Sequence, residues 1–227
     1  MNNNLSVLEL MSKSWKDIKG TKLSIWIAFL LIGIFTVGIC LAILYILTII
    51  LNCQFNSETI LALSSLTLLI GIPITHFVSV YFYTKIIAII LNKVKGLPID
   101  KPSLYQHNHM RWFYVFLTYM IQNIISTSIY YLMVGHALWF YYLVSILANT
   151  FLLINVFYVL DQNKNPIIAT WLSIKTVWGN FPQALSVFFI GIASLILGFL
   201  TLGIGLIWAI PFSYLLCANF YMNTKMR

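Results

Sequence analysis

His76 is the strong titratable candidate at depth, lying in an apolar run three residues after Pro73. A proline inside a helix removes one backbone donor and clashes one turn back, freeing a carbonyl there; here that is Leu69. A neutral imidazole at such a kink could hydrogen-bond a neighbouring helix. It could also line a polar path with Asn149 and Asn155, amides set in other apolar runs. Proton-coupled transport usually needs an ionisable group at depth, and such groups are costly enough to be functional by default. All five acids of this chain lie outside its apolar runs, which weakens that reading. Together with Gln122, Asn123 and Asn219, these amides can also act as glue between helices, at roughly 0.6–2 kcal/mol each.

A second pattern pairs a hydroxyl with an ammonium. Ser14 precedes Lys16 by two residues and Ser173 precedes Lys175 by two. Two such pairs could contact the phosphate of an anionic lipid, or simply form the polar edge of a surface helix. The alternating His107-Asn108-His109 is a metal pair only superficially, since alternate positions on a helix diverge. No GxSxG, HExxH or phosphate-cradling glycine loop is present. The expectation is a protein with no catalytic residue, no metal and no cofactor.

The elements that hold these residues follow from composition. The chain is 61% hydrophobic and 8% charged, with a mean hydropathy of +0.92. Soluble domains carry about 25% charged residues, so too little polar surface exists to cover a globule in water, and lipid must be the solvent. The net charge of +8 is scattered between apolar runs, which is the positive-inside distribution and not a nucleic-acid surface. Cys40 and Cys217 lie in apolar runs and Cys53 in a polar loop, giving neither a disulfide framework nor metal spacing. The first 22 residues hold four lysines and no short apolar core, so the first span is expected to act as an uncleaved insertion signal.

The reading is one all-α, integral membrane domain over residues 1–227. An interfacial helix at 5–19, amphipathic through Leu5, Leu8, Met11, Trp15 and Ile18, is expected to lie flat with its lysines toward headgroups. Spans follow at 24–51, 60–84, 112–134 and 137–160. A second interfacial helix covers 166–178, with Asn165-Pro166 as cap and first-turn proline. The last two spans are 182–200 and 204–222. All thirteen basic residues fall on one side of this layout, and the loops near 52–58, 135–136 and 201–205 hold none. Six spans with both termini in the cytoplasm fit that rule.

The chain also repeats. Placing Gly20 on Gly179 aligns Ser14 with Ser173, Lys16 with Lys175 and Ile18 with Val177, and Pro73 precedes Tyr83 as Pro211 precedes Tyr221. Spans one and two would then form a parallel repeat with spans five and six.

The stretch from Val159 through Asp161 and Lys164, then Ala169, Ser173, Lys175, Gly179-Asn180, Gly203-Ile204-Gly205, Pro211 and Tyr221, resembles the YciC-like integral membrane proteins of bacteria. It is also similar to the membrane domain found beside glycerophosphoryl diester phosphodiesterases. The resemblance implies a multi-pass bacterial inner-membrane protein with no agreed biochemical role. The phosphodiesterase chemistry belongs to a separate soluble domain and is not implied. The expected function is therefore non-enzymatic: organising anionic lipids, a protein partner or a homo-oligomer through a basic cytoplasmic face. A small transporter or lipid translocator with a path near His76 is the alternative.

Overall fold

The structure, a computed structural model, describes residues 5–51, 57–97, 110–133 and 138–225. The expected loop histidines His107, His109 and His136, and Cys53, lie outside the described residues. Every regular element among the described residues is a helix. In order these are α1 (Val7–Asp17), α2 (Lys22–Leu51), α3 (Ser57–Val94), α4 (Met110–Met133) and α5 (Leu138–Phe151). The chain continues through α6 (Asn155–Gln162), α7 (Pro166–Gly179), α8 (Phe181–Leu200) and α9 (Leu206–Lys225). Four described segments are long and apolar enough to cross a membrane: Lys22–Ile49, Ile74–Val94, Phe140–Gln162 and Phe181–Leu200.

Local chemistry sets the boundaries. Ser6 and Glu9 form a reciprocal capping box at the start of α1, with Glu9 Oε2 2.6 Å from the Ser6 amide. That backbone donor, then the Ser6 hydroxyl, hold the Glu9 carboxyl below its usual pKa. The cap is therefore strongest above the ordinary carboxylate range and is lost as pH falls through the lowered value. Gly20 turns the chain at φ 92°. Asn165 caps α7 by accepting from the Ile167 amide at 3.0 Å, and Pro166 takes the first turn, as expected.

The span expected at 137–160 carries a turn between α5 and α6, within a segment, Phe140–Gln162, that is long and apolar enough to cross a membrane. Asn155 turns its Oδ1 onto the Val156 amide at 2.7 Å, so the side chain competes with the helical backbone bond there. The expected interfacial helix, α1, runs lengthwise along the α8–α9 hairpin. Gln183 donates to the Leu5 carbonyl at 2.8 Å, Asn219 donates to Ser14 at 3.1 Å, and Trp15 meets Phe212 edge-on at 6.0 Å. Beyond it, Lys22 lies over the Trp208 ring and Trp26 donates to the Ile207 carbonyl at 3.4 Å. The stripe buried in protein is Leu10, Ser14 and Ile18, while Leu8 and Trp15 are exposed.

Three hairpins, α2–α3, α4–α5 and α8–α9, share one core. It gathers at the end where α3 and α9 finish, around Leu10, Ile90, Leu91, Leu160, Leu215 and Tyr221. Away from it α2 exposes Leu30, Ile34, Val37, Leu41 and Tyr45, and α8 exposes Ile196, Leu197, Phe199 and Leu200. The α8–α9 pair is held close by glycine. A Cβ on Gly198 would stand 2.9 Å from the Ala209 Cβ and 3.0 Å from the Gly205 backbone. Gly198→Val should thus lower stability in detergent by about 1–3 kcal/mol, seen as a lower thermal midpoint. Gly33→Ala on α2, with nothing within 4 Å of the added carbon, should leave the midpoint unchanged or raise it.

Candidate functional site

The charged centre of the molecule is Asp161, near the end of α6. Its side chain is 2% exposed and forms ion pairs with Lys95, just past α3, and Lys225, at the end of α9. Tyr221 donates its phenol to the second carboxylate oxygen at 2.7 Å, and Gln162 donates to the Tyr221 oxygen at 3.2 Å. The Tyr221 ring is fully buried, stacked on Phe157 at 5.6 Å and edge-on to Tyr158 at 5.0 Å. Arg111, at the start of α4, donates to the Leu160 carbonyl at 3.4 Å. One carboxylate thus ties the ends of α3, α6 and α9, with α4 docked one residue away. Asn163 lets the chain leave in the left-handed region at φ 53°, a conformation that asparagine tolerates better than most residues.

The expected elements at 137–160 and 166–178 leave Asp161 between them, and its local signal is isolation, as the acid in an otherwise charge-free stretch from Trp112 to Gln162. Lys95 and Lys225 lie far from it along the chain, so no local pattern could name them.

The expected lipid contacts divide. Ser14 and Ser173 are both fully buried. Ser14 donates to the Leu10 carbonyl at 2.7 Å, and Ser173 donates to the Phe151 carbonyl at 2.7 Å. Their hydroxyls face protein and cannot meet a headgroup, because small residues sit where helices approach most closely. Lys16 and Lys175 are exposed. The register that places Gly20 on Gly179 reproduces more than residue types. It sets the first residue of α1 on that of α7 and the first of α2 on that of α8. It also pairs buried Leu10 with Ala169, Ile18 with Val177, Ile25 with Ala184 and Ala28 with Val187.

The expected polar path through His76, Asn149 and Asn155 is not one connected line. His76 Nε2 lies 3.4 Å from Asn123 Nδ2, joining α3 to α4. Gln122 donates to Asn149 at 3.5 Å, joining α4 to α5. Asn155 is buried apart from both, on its own backbone. A feature the sequence did not single out is a tyrosine group, with the Tyr83 ring 6.0 Å from Tyr119 and 6.4 Å from Tyr214. It borders a cavity of about 350 Å³ reached also by Phe29, Ser213 and Cys217.

These features define an all-helical chain with helices able to span a membrane and an ion cluster that joins helix ends. Searches of protein-family models, curated proteins and solved structures find no match to this chain.

The Asp161 cluster generates a stability prediction. Asp161→Asn leaves two lysines without a counterion, which should cost about 3 kcal/mol in a detergent melt. Tyr221→Phe, removing one hydrogen bond to a charge, should cost about 1.5–3 kcal/mol. A double variant losing as much as the sum of both would show the two groups to be independent and undo the clasp.

Proposed function

We propose that this is a multi-pass bacterial inner-membrane protein, akin to the YciC-like group, that organises anionic lipid or a protein partner through a basic cytoplasmic face without catalysing a reaction. The observation that carries this is how the charge is used. The buried carboxylate Asp161 is engaged with Lys95, Lys225 and Tyr221, a clasp that holds helix ends together. Lys13, Lys16, Lys19 and Lys175 are left exposed on the amphipathic helices. Such a face suits anionic headgroups, a partner's acidic surface or a second copy.

The end carrying the clasp faces the cytoplasm in this reading, with both termini there. Support comes from Leu5, whose amide lies 3.3 Å from the Asn223 side chain, so the two ends of the described chain meet. The α1–α2 and α7–α8 units are a duplication, supported by their matching starts and burial. The α2–α3 and α4–α5 hairpins cross the bilayer. For the α8–α9 hairpin we propose a shallower placement than a full crossing, although Phe181–Leu200 is long and apolar enough to cross. Its turn at 201–205 was expected on the outer side, yet Gly203 and Ile204 line the same groove as Lys22 and Leu23. A lysine ammonium stays at the headgroups or snorkels to them, so this turn dips into the cytoplasmic leaflet and returns. Hydrocarbon demands that backbone groups be satisfied internally. Thr201 donates to the Gly198 carbonyl and accepts from the Gly205 amide, both at 2.8 Å, and Gly203 donates to the Phe199 carbonyl at 3.2 Å.

In a variant with Cys40, Cys53 and Cys217 replaced, a Leu202→Cys substitution should resist a membrane-impermeant maleimide added outside cells. A Ser57→Cys substitution should react. External labelling of Leu202→Cys would restore the full crossing.

The translocator reading is favoured only by the His76–Asn123 and Gln122–Asn149 contacts, which also suit helix glue. Proteoliposomes should move neither solute nor lipid faster than protein-free vesicles. A flux that His76→Ala abolishes would transfer the assignment to translocation.

A further inference from the structure

We infer that the joint between α1, α2 and the α8–α9 hairpin is a binding site for one anionic diacyl phospholipid, an inference that rests on the membrane reading above. Two grooves meet there. The first, of about 650 Å³, lies between α1 and the hairpin and is walled by Met11, Trp15, Leu197 and Phe212. The second, of about 980 Å³, lies between the start of α2 and the hairpin turn and is walled by Trp26, Leu30, Leu202 and Ile207. Both fall within the roughly 300–1,000 Å³ of small-molecule sites.

Trp208 divides them. Its ring borders the first groove, and Lys22 of the second groove holds its ammonium 5.1 Å from that ring's centroid. The first groove adds the hydroxyls of Ser12 and Ser194 to its apolar wall; each groove holds a single charge, Lys16 in the first and Lys22 in the second, and no carboxylate lines either. Two apolar slots side by side, with an ammonium in each, match a molecule with two hydrocarbon chains joined at one phosphate. A zwitterionic lipid would bring its own cation to two lysines. A lipid whose net charge is negative brings none.

The duplicated unit supplies an internal contrast. At the matching joint of α7 and α8 a groove of about 390 Å³ is walled by Leu147, Phe151, Trp178 and Phe181. In the repeat register Lys16 is matched by Lys175, whereas Phe181 stands where α2 begins with Lys22. The second copy thus keeps an apolar slot and one lysine and replaces the other with an aromatic ring. Lys175 does not line that slot, so two lysines set at apolar grooves belong to the first copy alone.

Native mass spectrometry of the full chain in mild detergent, titrated with phosphatidylglycerol or with phosphatidylcholine of identical chains, tests this. The wild type should retain phosphatidylglycerol about 10- to 30-fold more strongly, the worth of two lysines at an anionic headgroup. Lys16→Ala with Lys22→Ala should erase that preference and leave phosphatidylcholine binding unchanged. Lys16→Arg with Lys22→Arg should restore it, separating charge from misfolding, and Lys175→Ala should have no effect. Equal retention of both lipids by the wild type would overturn the site. So would a preference that survives the double alanine variant. Failure of the membrane reading itself would look different, because carbonate washing would then release the protein from membranes.

Discussion

A buried carboxylate is costly unless its charge is answered, and that requirement shapes this molecule. Asp161 has given up nearly all contact with water, and Lys95, Lys225 and Tyr221 around it answer its negative charge. Those three groups sit on or just past the ends of α3 and α9. Packing inside lipid offers little hydrophobic force between helices, since acyl chains are as apolar as leucine. Specific polar ties therefore matter more to the assembly of such a chain than they would in water. The clasp supplies one at a buried cluster of helix ends, where the field of each charge is less screened than in bulk water.

Much of the architecture was legible from local chemistry. The cap at Asn165 and the proline after it, the glycine turn at Gly20 and the apolar runs all act within a few residues, and the helices begin and end near them. What was not legible depended on distance along the chain. No pattern around Asp161 points to Lys225, 64 residues away. Periodicity named the apolar face of α1, on which Leu8 and Trp15 are exposed, but not the stripe packed on protein, which runs through Leu10, Ser14 and Ile18. A serine reads as polar in a hydropathy pattern, but its small volume is what allows α1 to approach α9. In the same way the break before α6 comes from one asparagine bonding its neighbour's amide, an event that a smooth apolar run conceals.

The α1–α2 and α7–α8 units show how similar layouts carry different chemistry. Their helix starts and buried positions coincide in one register, so helix order and inward packing are alike. Their partners are not. Ser14 accepts from an amide on α9, whereas Ser173 donates to a backbone carbonyl at the end of α5. A hydroxyl can do either because it is both donor and acceptor. That tolerance lets one small residue serve at both joints while the outward residues diverge from Lys22 to Phe181. Inward positions answer to packing, and outward ones are free to answer to the lipid.

Helix length supplies the remaining constraint. At about 1.5 Å per residue, the 38 residues of α3 extend well beyond a hydrocarbon core of about 30 Å. Tilt alone absorbs only part of that excess, so one end of α3 must emerge. The end that can emerge is the one carrying Lys85, Lys93 and, just beyond, Lys95. The same segment is packed rather than bare, with Ile86, Ala88, Ile90, Leu91 and Asn92 buried. In the membrane reading proposed above, an overlong helix thus becomes a post that carries Lys95 out of the hydrocarbon to Asp161. Shortened to bilayer thickness, α3 would leave that carboxylate with one lysine, and the ends of α6 and α9 would lose the element they are fastened against.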